Sequence, residues 1–191
     1  MPTLLLMRDA EADAATLCAA LATTSFRIAA EVTDAATLGS EVVRAAPDMI
    51  IAFTGTPSAA MLHALRALSQ TAPKPIVMFA TDARREVIRK AVDAGVAAYV
   101  VDGWASERVV AIIEAACARF DAYESMKREL RAVQSKLAER KLVEKAKGLV
   151  MQQRGVSEDL AYSSLRKMAM DQNLTLAEAA RRVIAVAHLL A

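Results

Sequence analysis

The fold is decided by Pro75-Ile76-Val77-Met78-Phe79, the segment Arg84 to Ala94 after it, and then Gly95-Val96-Ala97-Ala98-Tyr99-Val100-Val101. The two outer runs are short and continuously apolar, as strands are when both faces are covered. The segment between them reads as a helix, closed by Gly95. A strand, a helix and a second buried strand make one crossover unit of a parallel sheet.

Upstream the same alternation repeats. Thr3 to Met7, Phe26 to Val32 and Met49 to Phe53 read as strands; Asp13 to Ala22, about Ala35 to Ala46, and Ser58 to Ser69 read as helices. Pro47 stops the second of these helices, and Gly55-Thr56-Pro57 breaks the chain after the third strand. With Ala98 to Val101 there are five strands alternating with helices, the last helix starting after Ser106. The expected fold class is α/β, flavodoxin-like, with strand order 2-1-3-4-5.

Between Ser106 and Gly148 the chain contains neither Gly nor Pro, which predicts one helix leaving this domain. Along it Arg119, Tyr123, Met126, Leu130, Val133, Leu137 and Arg140 recur at alternating steps of four and three. The apolar members, Tyr123 to Leu137, form a short coiled-coil seam flanked by Lys127, Arg128, Glu129 and Lys136. Such a stripe can pack on its own domain or on a second copy. No neighbouring segment is long enough to cover it, which favours a dimer seam.

Further on, Glu139-Arg140-Lys141-Leu142-Val143-Glu144-Lys145-Ala146-Lys147-Gly148-Leu149-Val150-Met151 runs into a stop at Gly155. Ser157 offers a new N-cap, with Glu158 and Asp159 in the first turn of the next helix. Residues 1–118 carry 10 basic and 13 acidic side chains, whereas residues 119–191 carry 14 and 9. A slightly acidic front and a basic tail fit a sensing half joined to a nucleic-acid-binding half.

From Glu139-Arg140-Lys141 through Ala146 to Met151, Ala161-Tyr162, Leu165 to Met170, Leu176 and Val183-Ile184, the chain resembles ANTAR-domain transcription antiterminators. The likeness covers roughly 136 to 190 and is to the NasT/AmiR type, the nitrate-assimilation regulators above all. The strand and helix spacings at the front resemble the receiver domain of response regulators. Together these imply a receiver-like domain over 1–118, a coiled-coil connector over 119–135 and a three-helix ANTAR domain over 136–191.

A working receiver holds Mg²⁺ on an acidic pair, attacks with an Asp, and needs a hydroxyl and a Lys beside it. Those positions fall on Arg8-Asp9, Phe53, Ala80 and Asp102. Phe53 has no nucleophile and Asp102 would repel a phosphoryl group. Thr81 is one residue from the hydroxyl position, while Asp48 lies at the wrong end of the third strand. The resemblance therefore implies a pseudo-receiver with a degenerate phosphorylation site at Arg8, Asp9, Phe53, Ala80 and Asp102.

For the ANTAR part the resemblance implies RNA contact through Arg140, Lys141, Lys145, Lys147, Arg154, Tyr162 and Arg166. Arg140, Lys147 and Arg154 are seven apart and share a helical stripe; Lys141 and Lys145 lie on a neighbouring one. Gly148 and Ala161 are small for packing or close approach, and Tyr162 either stacks on a base or packs between helices. Asn173 and Thr175 could add polar contacts. The implied targets are leader-mRNA hairpins, recognised at exposed loops because the A-form major groove is closed to side chains. The implied partner is a periplasmic-binding-protein-like nitrate or nitrite sensor, and the RNA-bound state is expected to be a homodimer. A phosphorylated response regulator acting on DNA, or an adaptor working by protein contacts alone, are the alternatives.

No enzyme is expected. The glycines form neither GxGxxG nor a P-loop, and His63 and His188 have no partner at ligand spacing, so no cofactor or metal is implied. Cys18 and Cys117 are isolated, as expected of a reducing compartment. Without a signal peptide or a membrane-length apolar run, the expected location is the cytoplasm. Trp104 is either a partner-contact aromatic or a loop anchor.

Overall fold

In the computed structural model, residues 1–9, 15–22, 24–102 and 106–189 are described. Trp104 and the expected helix start at Asp13 lie outside them. The chain divides into two compact units, Met1–Glu124 and Ser125–Ala191.

The first unit is a five-stranded parallel sheet in the order β2-β1-β3-β4-β5, as the alternation predicts. Its strands are β1 (Thr3–Arg8), β2 (Arg27–Val32), β3 (Met49–Thr54), β4 (Ile76–Ala80) and β5 (Ala98–Val101). Between them run α1 (Ala15–Ala22), α2 (Leu38–Ala45), α3 (Ala59–Thr71) and α4 (Arg85–Asp93), and α5 (Ser106–Arg154) follows β5.

Successive side chains of a strand point to opposite faces, so each apolar strand feeds two cores. Leu5, Met7, Ile50, Ala52, Met78 and Ala80 pack with Leu38, Val42, Met61, Leu65 and Ala91 of α2, α3 and α4. Leu4, Leu6, Ile51, Phe53 and Phe79 pack with Leu17 and Leu21 of α1 and Val109 and Ile113 of α5. Fully burying each large side chain contributes about 1.5–3 kcal/mol. Cys18 and Cys117 are free, partly buried thiols at the edge of the second core, and burial raises the pKa of both.

Most boundaries fall within two residues of expectation, and the start of the second helix differs most. The segment from Ala35 opens as a 3-10 turn, Ala35–Thr37, before α2 begins at Leu38. The Asp34 carboxylate accepts the Ala36 N–H at 2.9 Å and the Asp34 carbonyl accepts that of Thr37, which tightens the first turn. Gly95 closes the turn after α4 at φ 95°, and an added Cβ would stand 2.6 Å from that of Ser69. Only glycine fits there.

The second unit holds the end of α5, then α6 (Glu158–Asp171) and α7 (Leu176–Leu189). Gly155, at φ 62°, ends α5 in a left-handed turn, where the sequence places its stop. Ala146 and Val150 of α5, Ala161 and Leu165 of α6 and Ala180 of α7 form a small core, ringed by Leu142, Val143, Leu176, Val183 and Ile184. Thr175 and Glu178 close the start of α7 reciprocally: the Thr175 N–H and hydroxyl donate to the Glu178 carboxylate at 2.8 Å, and the Glu178 N–H donates to the Thr175 hydroxyl at 3.2 Å. Ser157 occupies the N-cap position of α6, but its side chain makes no cap hydrogen bond. Among the described residues no helix is long and apolar enough to cross a membrane.

Candidate nucleic-acid interface

At the carboxyl end of the sheet, where a receiver does its chemistry, the polar groups face one another. Arg8 pairs in register with Phe53, so the position after β1 meets the position after Phe53. There the Thr54 hydroxyl donates to the Asp9 carboxylate. The Arg8 guanidinium reaches across to Glu31 of β2 and donates to the Asp9 carbonyl at 3.3 Å. Phe53, at the expected nucleophile position, is 7% exposed and part of the second core. Ala80 is fully buried, and the Asp102 N–H donates to its carbonyl at 3.2 Å. Asp48, at the opposite end of β3, accepts the Thr3 N–H at 2.7 Å and serves as a tie between strands.

A second polar cluster joins Thr81, one residue from the expected hydroxyl position, to Gly55, Thr56, Asp82, Arg84 and Tyr99. The Thr81 and Asp82 N–H groups donate to the Gly55 carbonyl at 3.2 and 3.0 Å, and the Thr81 hydroxyl does so at 3.1 Å. The Asp82 carboxylate accepts from Arg84 Nη2 at 2.6 Å and from the Thr56 hydroxyl at 3.1 Å, while Tyr99 donates to the Asp82 carbonyl at 2.7 Å. Arg84 above all holds the Asp82 carboxyl well below the usual carboxylate range. The loops after β3 and β4 and strand β5 are thus tied together by the chain itself. An Asp two residues before an Arg was the available local signal; the contributions of Gly55 and Tyr99 were not local.

In the second unit the cations fall into two groups. Lys147 is only 8% exposed, with Nζ 2.9 Å from Glu144 and 2.6 Å from Glu158. The hydrogen bond to Glu158, then that to Glu144, raises the Lys147 pKa, and Lys147 in turn lowers that of Glu158. Its charge fastens the first turn of α6 to α5. Arg140, Lys141, Lys145, Arg154 and Arg166 are exposed and have no ion-pair partner among the described residues. Tyr162, 42% exposed, lies one helical turn before Arg166 on α6. A ring and a guanidinium at that spacing present a flat face beside a planar fork of donors.

The two small residues separate as well. Ala161 is fully buried in the three-helix core, whereas Gly148 is exposed on α5. Asn173 turns the chain after α6 at φ 53°, and the Thr175 hydroxyl is engaged by Glu178. The seam residues Tyr123, Met126, Leu130, Val133 and Leu137 all lie on α5 and are 54–67% exposed.

A five-stranded receiver-type α/β module followed by a three-helix basic unit defines the class. The fold of the first unit is that of solved receivers. The signal receiver domain of a modulated diguanylate cyclase from Desulfovibrio desulfuricans G20 matches with a TM-score of 0.56 at 17% identity, over 64% of this chain and 98% of that one. Residues 131–184 match the ANTAR domain. The transcriptional regulatory protein PdtaR of Mycobacterium tuberculosis is 30% identical over 150 residues, 76% of this chain and 73% of that protein. The nitrate regulatory protein of Klebsiella oxytoca is 45% identical over 58 residues, 30% of this chain and 15% of that protein. The chain belongs to the family of ANTAR-domain transcriptional regulatory proteins.

Proposed function

We propose that the chain is an RNA-binding transcription antiterminator. In this reading the second unit grips hairpins in a leader transcript and so keeps a competing terminator hairpin from forming. The observation that carries it is the set of exposed cations Arg140, Lys141, Lys145 and Arg154 on α5, without ion-pair partners among the described residues, together with exposed Tyr162 and Arg166 on α6, within the ANTAR match. Lysines offer mobile point charges for phosphates, and an aromatic ring with an adjacent guanidinium suits an unstacked loop base. Lys147 holds this scaffold together from within.

The exposed apolar seam on α5 supports a homodimer on RNA, each copy covering the other's Leu130, Val133 and Leu137. The pseudo-receiver then serves as a protein-contact scaffold. Control comes from a sensor protein instead of phosphorylation, because Phe53 and Ala80 supply neither nucleophile nor hydroxyl. The nitrate regulatory relative supports nitrate as the signal; the cytoplasm, where leader RNA is made, is the proposed compartment.

Filter binding of the full chain to hairpin RNA and to duplex DNA, over a salt series, tests the reading. Preference for the hairpin with a steep salt slope is expected. Equal binding to both, or to neither, overturns it.

A further inference from the structure

Gly148 stands in the interior of α5, where glycine weakens a helix relative to alanine. Its usual justifications are missing. It does not adopt a positive φ, which among the described glycines is confined to Gly95 and Gly155. An added Cβ would meet nothing within 4 Å, so no neighbour in this chain requires its absence. At about 100° per residue, Gly148 points away from Ala146 and Val150, which face the small core. Nothing among the described residues accounts for it.

The same outer face carries Lys141, Lys145 and Gln152, seven and three residues before Gly148 and four after it, and Glu144 four before it, all exposed; the Glu144 carboxylate is ion-paired to Lys147 at 2.9 Å, so the charge left open on this face is that of the two lysines. Neither lysine has an ion-pair partner among the described residues. The bare backbone at Gly148 is therefore a notch in a cationic surface. Resting on the RNA reading above, we propose that Gly148 is the point where the ribose–phosphate backbone of the hairpin crosses α5 in contact with the helix main chain. Without a Cβ, the strand sits closer to the axis. Lys141 and Lys145 then reach its phosphates, and Gln152, both donor and acceptor, can meet a 2′-hydroxyl. Cα–H groups against phosphate oxygens add a weak contact that only a glycine offers from both hydrogens.

A second copy of the chain is the rival occupant, because Leu137 and Leu130, both exposed, lie on the same face about three and five turns earlier. Lys141 and Lys145 argue against it, since a symmetric helix pair continued through them would set like charges together. An anionic strand removes that repulsion.

The experiment uses the full chain and a hairpin RNA selected on it from a random-loop pool. Gly148→Ala is expected to raise the thermal midpoint of the second unit yet weaken hairpin binding about three- to tenfold, the scale of one lost hydrogen-bonded contact. Gly148→Leu is expected to weaken it further. In a double-mutant cycle, Gly148→Ala and Lys145→Ala should lose less together than the sum of their separate losses, because lifting the strand off the helix already takes it from Lys145. If the pool yields no RNA that binds the wild-type chain, the RNA reading itself fails. If wild type binds and both Gly148 variants bind equally well, this inference alone fails. A change in the sedimentation mass of the RNA-free variants would assign the notch to a second copy.

Discussion

At the carboxyl end of the sheet, Asp9 is held by Thr54, Arg8 by Glu31, and Asp82 by Arg84 and Thr56. On the outer face of α5, by contrast, Lys141 and Lys145 have no ion-pair partner among the described residues. A receiver that accepts a phosphoryl group needs a nucleophile and a cation open to solvent; here Phe53 stands at the expected nucleophile position and is buried, and Asp9, Arg8 and Asp82 are engaged by hydrogen bonds within the chain. The difference teaches how to separate polar groups that the fold has already engaged from those it leaves open. Ionic groups already neutralised by the fold have little left to offer a ligand, whereas unpaired cations on a rigid helix offer charge at little further ordering cost. Lys147 and Lys145, two residues apart, repeat the contrast within a single turn.

The largest expected effect removes the scaffold beneath the cations. Leu165→Ala should cost the second unit about 2–5 kcal/mol by leaving a cavity between α5, α6 and α7. Circular dichroism on heating should show helix lost at a lower temperature, with hairpin binding lost alongside it. Retained binding at a temperature where those helices have melted would mean that the cations act without the fold, and the comparison would break.

Next in size is the contrast between the two kinds of lysine. Lys141→Ala and Lys145→Ala should each weaken hairpin binding by roughly 1–3 kcal/mol and flatten its salt dependence by about one ion's worth. Lys147→Ala should act mainly through stability, because it leaves Glu144 and Glu158 facing each other at the α5–α6 junction. A Lys147 variant that folds like wild type but loses salt-dependent binding would show that its ion pairs open to receive RNA.

A smaller effect should appear with pH. Glu158 has a lowered pKa in the folded chain, so its contribution is present above the unfolded value of about 4.5 and is lost as pH falls through the folded one. Lys147 has a raised pKa; its contribution is complete below about 10.5 and is lost only as pH rises past that. Melting followed across pH should therefore show this pair stabilising throughout the neutral range and fading in acid. In Glu158→Gln the part of the acid decline due to this carboxylate should be gone; an unchanged decline would assign it elsewhere.

No effect at all is expected from phosphoryl donors. Acetyl phosphate or beryllofluoride should alter neither oligomeric state nor hairpin affinity, and Phe53→Asp alone should not restore phosphorylation. The hydroxyl and cation positions would still be Ala80 and Asp102, with Arg8 in half of the metal site. An acid-labile phosphoryl group on the wild-type chain, coupled to tighter RNA binding, would reverse the contrast between the two ends.

The sequence by itself determined the sheet order, the two-faced burial of the central strands β1, β3 and β4, the long α5, the stop at Gly155 and the ANTAR match. All of these rest on local signals: continuous apolar runs, helical spacing, a glycine stop and a motif read in order. Tertiary structure alone decided which polar groups remain available. Helical spacing sets Lys147 in line with Arg140 and Arg154, but it takes α6 folding back on α5 to bring Glu158 within reach of it. Likewise Thr54 meets Asp9 only because β1 and β3 pair in this register, and Tyr99 meets Asp82 only across β4. Gly148 read as small for either of two reasons, and only the empty space around it separates the two. Periodicity fixes the direction in which a side chain leaves its own helix or strand, while its neutralisation depends on a partner brought there by the rest of the chain.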